Sequence, residues 1–179
     1  VPSGGDYGFN IVSPLDALAV NLYGRADGLH IIVGGDTRMY EYWGYGQFAG
    51  QSAGRKRGCF PHVTTWAPEG EKPFVYAATD IGAVLAWRNS EDRTDQWVIL
   101  DDAWSAVIGG RISALSVASG EQPAVLVGTK DGQVRVLDAV DGHDIGRTEA
   151  TGSAVVRILT RASEALIVHA DGTVETLRI

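Results

Sequence analysis

The sequence is poor in several features, and each shortage excludes a class of protein. It has one cysteine, Cys59, among 179 residues, so an internal disulfide framework is excluded and a reducing compartment such as the cytoplasm is favoured. No apolar run approaches the roughly 18 residues that a membrane-spanning helix needs. Residues 1–8 show no basic segment followed by an apolar stretch, so no signal peptide is visible.

Basic residues are scarce relative to acidic ones. Against 22 aspartates and glutamates stand 15 lysines and arginines, which gives a net charge of −7, and no basic stripe is present. Neither nucleic acid nor an anionic membrane surface is therefore expected as a partner. Long helical periodicity is also missing, so β-structure is expected to supply the core.

What the sequence does contain is an internal repeat. Four segments read as an apolar strand, small residues, an aspartate turn and an alternating strand, at intervals of about 40–50 residues. Short strands flank these segments, so each unit holds three or four strands. The segments are 29–43 (LHIIVGGDTRMYEYW), 74–88 (FVYAATDIGAVLAWR), 124–138 (AVLVGTKDGQVRVLD) and 165–179 (ALIVHADGTVETLRI).

An aspartate marks the turn of each segment. Two of the turns are Asp-Gly, which predicts type I′ hairpins because that turn needs positive φ at both central residues. The four carboxylates are interpreted as structural groups that bond their own turn backbone. The turn residues are Asp36, Asp80, Asp131 and Asp171.

A four-stranded antiparallel meander repeated at this spacing is typical of a β-propeller blade. One blade cannot bury both of its faces alone, so blades stack around an axis. The predicted fold is all-β, a propeller of about four blades in one domain over 1–179, with blades at 14–60, 61–110, 111–152 and 153–179 plus 1–13. A β-sandwich is the alternative, which the regular spacing disfavours.

Residues 111–142 (RISALSVASGEQPAVLVGTKDGQVRVLDAVDG) resemble a WD40-type or quinoprotein-like propeller repeat, and residues 152–179 do so as well. The Gly-His pair and the Trp-Asp end of many WD40 repeats are replaced here by Gly110-Arg111 and Leu137-Asp138. The resemblance implies a propeller in which the WD40 tetrad of His, Asp, Ser and Trp is incomplete.

The last unit lacks an outer strand, and the β-like residues 6–13 (DYGFNIVS) precede the first unit. Pairing them with the last unit removes an unpaired edge, so an N-terminal strand is expected to complete the last blade. Rings of this kind usually contain more than four blades. Three assemblies therefore stay open: a closed four-bladed ring, a ring formed by a homodimer, and a half ring completed by another chain or segment.

No catalytic constellation stands out in the sequence. The four histidines fall in different units without the local spacing of a metal site, and Cys59 is interpreted as an inert thiol. Residues 89–96, with Asp101 and Asp102, are interpreted as a solvated acidic loop and not as a calcium site. No cofactor is predicted.

Aromatic and arginine side chains in loops suit a protein-contact surface. The longest unusual loop, 44–58 (GYGQFAGQSAGRKRG), lacks the ending of a phosphate-binding loop. The sequence predicts that Trp104 lies in a loop-like stretch. Its side chain is either a contact at the edge of a binding surface or buried. The predicted partner contacts are Tyr45, Phe48, Arg55, Arg57 and Trp104.

The expected function is a non-enzymatic propeller repeat module for protein–protein interaction or scaffolding, as the recognition part of a larger protein of bacterial type. Its partner is expected to be another protein or a second propeller half. Two alternatives stay open: a small-ligand or cofactor site in the central channel, as in quinoprotein-like propellers, and an engineered or truncated fragment without a natural ligand. The step from fold to function is analogy.

Overall fold

A computed structural model describes residues 19–25, 28–34, 39–43, 48–52, 58–68, 71–89 and 98–179. These residues form fifteen β-strands, and no helix long and apolar enough to cross a membrane is found among them. The strands are β1 (Ala19–Arg25), β2 (Gly28–Gly34), β3 (Met39–Trp43), β4 (Phe48–Ser52), β5 (His62–Trp66), β6 (Phe74–Ala78), β7 (Ala83–Asn89), β8 (Val98–Val107), β9 (Ile112–Ala118), β10 (Ala124–Thr129), β11 (Val134–Asp138), β12 (Asp144–Arg147), β13 (Val155–Arg161), β14 (Glu164–His169) and β15 (Val174–Arg178).

The strands form antiparallel meanders in chain order. The first meander is β1–β4, the second β5–β8, the third β9–β12 and the fourth β13–β15. A short parallel pairing of β4 with β8 joins the outer edges of the first two meanders. The predicted all-β class and its antiparallel meanders are confirmed. The N-terminal strand expected at 6–13 lies outside the described residues.

The outer strand β8 corrects two expectations from the sequence. Asp101 and Asp102 do not belong to a loop, because they pair with Arg88 and Trp87 of β7. Trp104 is likewise inside the strand and pairs with Ala86. Both aspartates are exposed on this outer strand, and Asp101 lies opposite Arg88 of β7. An acidic residue opposite a basic one is favourable in a sheet, so the strand accommodates these carboxylates.

The β6–β7, β10–β11 and β14–β15 turns are not of type I′, contrary to the prediction from Asp-Gly. In the third meander the N–H of Thr129 donates to the oxygen of Gln133 at 3.0 Å, and the N–H of Gly132 donates to the oxygen of Thr129 at 3.1 Å. Gly132 has φ of +88°, whereas Asp131 does not have positive φ. This is a three-residue loop in which a type I turn is followed by a left-handed glycine, so only one residue needs positive φ. Glycines in the same conformation close the other two turns, at Gly82 and Gly172.

Asp80 sits one position earlier in its turn than Asp131 and Asp171 do in theirs. In all three hairpins the second turn residue donates its N–H to a carbonyl just before or at the start of its own meander: Asp80 to Cys59 (3.1 Å), Lys130 to Arg111 (2.9 Å) and Ala170 to Ala154 (2.8 Å). Asp80 therefore corresponds to Lys130, and Ile81 corresponds to Asp131. The aspartate is thus not fixed to one position of the turn, while the backbone bonds are the same in all three.

The core lies between successive meanders. Both β6 and β10 are buried on both faces, which explains their unbroken apolar runs. Three clusters of buried side chains fill the interfaces. The first joins the first and second meanders around Ile32 and Trp87, the second joins the second and third around Tyr76 and Val125, and the last joins the third and fourth around Leu126 and Ile167.

Gly128 permits the close approach of the third and fourth meanders. A Cβ at this position would lie 2.5 Å from Val155 Cγ1 and 2.7 Å from Val155 Cβ. We expect Gly128→Ala to lower the free energy of unfolding by about 1–3 kcal/mol, because the added methyl group overpacks this interface. Urea unfolding followed by circular dichroism measures the change.

Gly146→Ala is the matched control, since a Cβ at this β12 position would meet no atom within 4 Å. Its unfolding midpoint is expected to stay at or slightly above that of the unaltered chain. Equal loss of stability in the two variants would contradict the packing argument.

Candidate interaction surfaces

The fourth meander has one face without a partner in the described residues. We call this the open face, the side of β13–β15 that points away from the third meander. At its centre Leu159, Leu166 and Val174 are 47%, 44% and 58% exposed. Leu159 lies opposite Leu166, and Val174 lies opposite Val168, so these side chains are cross-strand neighbours on one side of the sheet. The alternate residues Ala165 and Ile167 are buried against the third meander.

Equivalent positions in the preceding meanders are fully covered. Leu166 stands three residues before the turn that begins at His169, as Leu126 does before Thr129 and Tyr76 before Thr79. Tyr76 and Leu126 are both 0% exposed, because the next meander covers them. Val174 follows its turn glycine by two residues, as do the buried Val84 and Val134. The centre of the open face is therefore apolar like the faces that dock inside the chain. Its edges differ, because Arg157, Arg161 and Glu164 stand where the covered face of the third meander has alanines (Ala114, Ala118 and Ala124).

Arginines border the open face. Arg157 pairs with Val168, Arg161 pairs with Glu164 across β13 and β14, and all three of these charged side chains are exposed. Arg178 of β15 lies opposite Glu164, with its Nε 3.7 Å from Oε1 of that residue. The rim thus carries more positive than negative charge, in contrast to the net charge of −7 for the chain.

A second candidate surface is a cleft of about 410 Å³ between the ends of β5 and β9. We call it the end cleft. Its lining includes Arg111, Lys130, Asp80, His62 and Ser113. Burial lowers the pKa of His62, so this imidazole is neutral near pH 7. The pKa of Asp80 is also lowered, because its carboxylate accepts a hydrogen bond from the N–H of Cys59 at 2.9 Å.

Apolar side chains project next to the end cleft. Ile81 follows Asp80 in the β6–β7 turn and is 57% exposed. Val107 ends β8 and is 80% exposed. The oxygen of Gly82 accepts a hydrogen bond from the N–H of Ile108 at 2.9 Å, which holds the two segments together at this end of the second meander. Cations and uncovered apolar groups therefore share one end of the sheet.

Trp104 is half-buried between the second and third meanders. Its Nε1 donates to the oxygen of Ala139 at 3.1 Å, and the hydroxyl of Tyr76 donates to the same oxygen at 2.9 Å. The two rings are tilted neighbours with centroids 5.7 Å apart. Burial is the main reason that the pKa of Tyr76 is raised, with the negative charge of Asp138 adding to it, so the phenol stays a hydrogen-bond donor. Tyr76 and Trp104 of the second meander thus both donate to the Ala139 carbonyl of the third, and we call this pair of hydrogen bonds the clamp on Ala139.

The other predicted contacts mostly lie outside the described part of the chain. Tyr45, Arg55 and Arg57 fall there, and for Phe48 only the backbone, in β4, is described. Asp36 is outside as well. The remaining turn aspartates bond within or beside their turns: Asp80 accepts from Cys59 N–H, Asp131 from the hydroxyl of Thr129, and Asp171 from the N–H of Thr173 at 2.9 Å.

A further cluster, of two aspartates and a histidine, lies in the β11–β12 turn and was not predicted. It was missed because the spacing of histidines was compared among histidines and not with aspartates. Ligand atoms of Asp138, Asp141 and His143 lie within 4.8 Å of one another. His143 Nδ1 is 2.6 Å from Asp141 Oδ1, and this hydrogen bond raises the pKa of the histidine. Asp138 Oδ1 accepts the N–H of Val140 at 2.7 Å. These carboxylates are engaged with their own turn, and the two outer groups are exposed.

Solved structures with the same arrangement identify the fold. The computationally designed protein Ika4 matches with a TM-score of 0.67 over 90% of this chain and 91% of its own, at 18% identity. The C-terminal WD40 domain of Sif2 matches with a TM-score of 0.65 over 89% of this chain and 46% of that one, at 13% identity. Sqt1 of Saccharomyces cerevisiae matches with a TM-score of 0.71 over 91% and 45%, at 13% identity.

The fold is therefore that of a WD40-like β-propeller, which confirms the resemblance seen in residues 111–142. The chain spans nearly all of Ika4 but about half the length of the Sif2 domain and of Sqt1. No protein-family model and no curated protein sequence matches the chain.

The clamp on Ala139 yields a test by double-mutant cycle. Tyr76→Phe and Trp104→Phe each leave one donor on the carbonyl, and each is expected to cost about 0.5–1.5 kcal/mol of unfolding free energy. The double variant leaves the carbonyl without either donor, so its cost should exceed the sum of the single costs. Urea unfolding of the four proteins measures this coupling. Strict additivity would contradict a shared clamp.

Proposed function

We propose that this chain is a non-enzymatic WD40-like propeller module that recognises other proteins, and that the end cleft binds an extended segment carrying an acidic and an apolar side chain. The observation that carries the proposal is the placement of Arg111 and Lys130 beside the exposed Ile81 and Val107. Such a mixture of cations and uncovered apolar groups is typical of a protein-contact surface. The solved structures of similar fold support the propeller fold, but they do not identify the partner.

Charge defines the partner of this cleft. Arg111 and Lys130 are exposed, and neither forms an ion pair with a carboxylate of the described residues. The carboxylate of Asp80 is already engaged by the N–H of Cys59. An incoming acidic side chain would meet the two cations and the ionised carboxylate of Asp80, a balance that is net positive, while Ile81 and Val107 would cover its apolar neighbour. Electrostatic complementarity of this kind mainly supplies specificity and association rate.

The loop at 44–58 is a further proposed contact. Tyr45, Phe48, Arg55 and Arg57 are the residues proposed for it. Trp104, whose ring lies against the β11–β12 turn, would form a separate aromatic contact away from the end cleft. A scaffolding role in a larger protein is part of the same proposal. The sequence pattern of aromatic and arginine residues supports it.

A random-peptide display library, selected against the full chain, tests the proposed site. Selected peptides are expected to combine an acidic residue with an apolar one. They should bind the double variant Arg111→Glu, Lys130→Glu at least about ten-fold more weakly, because both attractions become repulsions; ten-fold corresponds to about 1.4 kcal/mol. Fluorescence anisotropy with the selected peptides gives the dissociation constants.

Val140→Glu is the control, since Val140 is 53% exposed in the β11–β12 turn at the other end of the third meander. Its affinity for the peptides should match that of the unaltered chain. Equal binding by all three proteins, or a library that yields no peptide, would contradict the proposal. Thermal stabilisation by citrate without peptide binding would favour the small-ligand alternative instead and would also overturn it.

A further inference from the structure

We infer that His62 makes binding at the end cleft pH-dependent: its imidazole takes up a proton when an acidic segment enters, so the segment binds more tightly in mildly acidic solution than at neutral pH. The inference rests on the proposed function of this cleft. It adds one named group and a direction of regulation, so binding that does not depend on pH would overturn the inference alone.

His62 is held at the wall of the end cleft by its neighbours in the chain. It is the first residue of β5 and pairs with the end of β6. Just before it, the N–H of Cys59 donates to Asp80 Oδ1 at 2.9 Å, and the oxygen of Cys59 accepts the N–H of Asp80 at 3.1 Å. These two bonds fix the segment that leads into β5. The half-buried imidazole lines the same cleft as Arg111 and Lys130.

The imidazole has no carboxylate that would help it to hold a proton. Burial lowers the pKa of His62, and no hydrogen bond or charge of another described residue opposes this effect. The carboxylate of Asp80 is engaged by the N–H of Cys59. On the β9 side of the cleft, the hydroxyl of Ser113 donates to the oxygen of Val155 at 2.7 Å. A neutral imidazole beside two cations is therefore available to an incoming acidic group.

Other charged groups of the strands that flank β5 lie farther from His62. Arg25 ends β1, and His30 of β2 is paired near that same end. The opposite end of this hairpin approaches β5, since a Cβ at Gly34 would lie 2.8 Å from the oxygen of Phe60. The described titratable groups next to the imidazole are the carboxylate of Asp80 with the Cys59 thiol beside it, Arg111 and Lys130.

An acidic side chain in the cleft would supply the missing carboxylate. A negative charge near an imidazole favours its charged form, so the pKa of His62 rises from its lowered value when the segment binds. Between these two pKa values the complex holds more protons than its separate components, and linkage then requires the affinity to rise as the pH falls.

Protonation of His62 also changes the charge balance of the cleft. The cleft passes from two cations and one carboxylate to three cations and one carboxylate. The pKa of Asp80 is lowered, so its carboxylate stays ionised in mildly acidic solution and does not contribute to the change. The gain in attraction for an acidic segment therefore comes from the imidazole.

Fluorescence anisotropy at two pH values tests the inference with the full chain. The probe is a peptide from the display selection that contains no histidine, because its acidic side chains stay largely ionised at about pH 5.5 and the protein alone then titrates. At constant ionic strength, binding is expected to be at least about three-fold tighter at about pH 5.5 than at about pH 7.5.

His62→Gln should remove most of this ratio, whatever its affinity at neutral pH, since glutamine cannot take up the proton. His143→Gln is the matched control. His143 is exposed in the β11–β12 turn, where a hydrogen bond to Asp141 raises its pKa, so it also titrates but lies away from the cleft. The ratio of the two dissociation constants should be the same in this variant as in the unaltered chain.

Isothermal titration calorimetry at about pH 6, in two buffers of different ionisation enthalpy, counts the protons taken up on binding. Uptake is expected for the unaltered chain and for His143→Gln, and it should be lost in His62→Gln. The measurement on the unaltered chain does not depend on the folding of any variant, which circular dichroism checks separately.

Equal affinity of the unaltered chain at both pH values, or binding without proton uptake, would overturn this inference and leave the proposed function standing. Proton uptake that persists in a folded His62→Gln variant would overturn it too, because the titrating group would then lie elsewhere. A library that yields no peptide would overturn both the proposed function and the inference that rests on it.

Discussion

The second and third meanders have two apolar faces each, and the burial of one face against the next meander is the interaction on which the described structure depends. The β6 and β10 strands are buried on both sides, so neither can exist as half of a wetted sheet. Removing one meander would expose the face of its neighbour, which couples the stability of adjacent units. Gly128 shows how close this packing is, because the space for its missing side chain is filled by Val155.

Hydrogen bonds across the same interfaces fix how the meanders sit on one another. Ser113 Oγ donates to the oxygen of Val155 at 2.7 Å, and Thr160 Oγ1 donates to the oxygen of Val117 at 2.7 Å. Apolar contact alone would tolerate sliding of one sheet over the next. Half-buried polar groups between the sheets fix the relative position of the two sheets, since a shifted register would leave them without partners.

The two candidate surfaces follow from this architecture in different ways. The open face is the side of the fourth meander that no described residue covers, with an apolar centre and charged edges. The end cleft exists because turns of neighbouring meanders converge at one end, where Asp80, Arg111 and Lys130 meet. The end cleft suits a narrow, charged segment.

The repeat, the strand content and the hairpin positions could be read from the sequence, because apolar alternation and turn residues are local signals. Trp104 and Asp101 were misplaced in a loop, since the partner strand β7 that makes β8 a long strand is invisible to local reasoning. Asp131 was assigned the wrong turn type because Asp-Gly fits two kinds of hairpin, and the backbone conformation decides between them. Contacts between distant residues decided the rest: the covering of Leu126, the exposure of Leu166 and the meeting of Arg111 with Lys130 all depend on which meander packs against which.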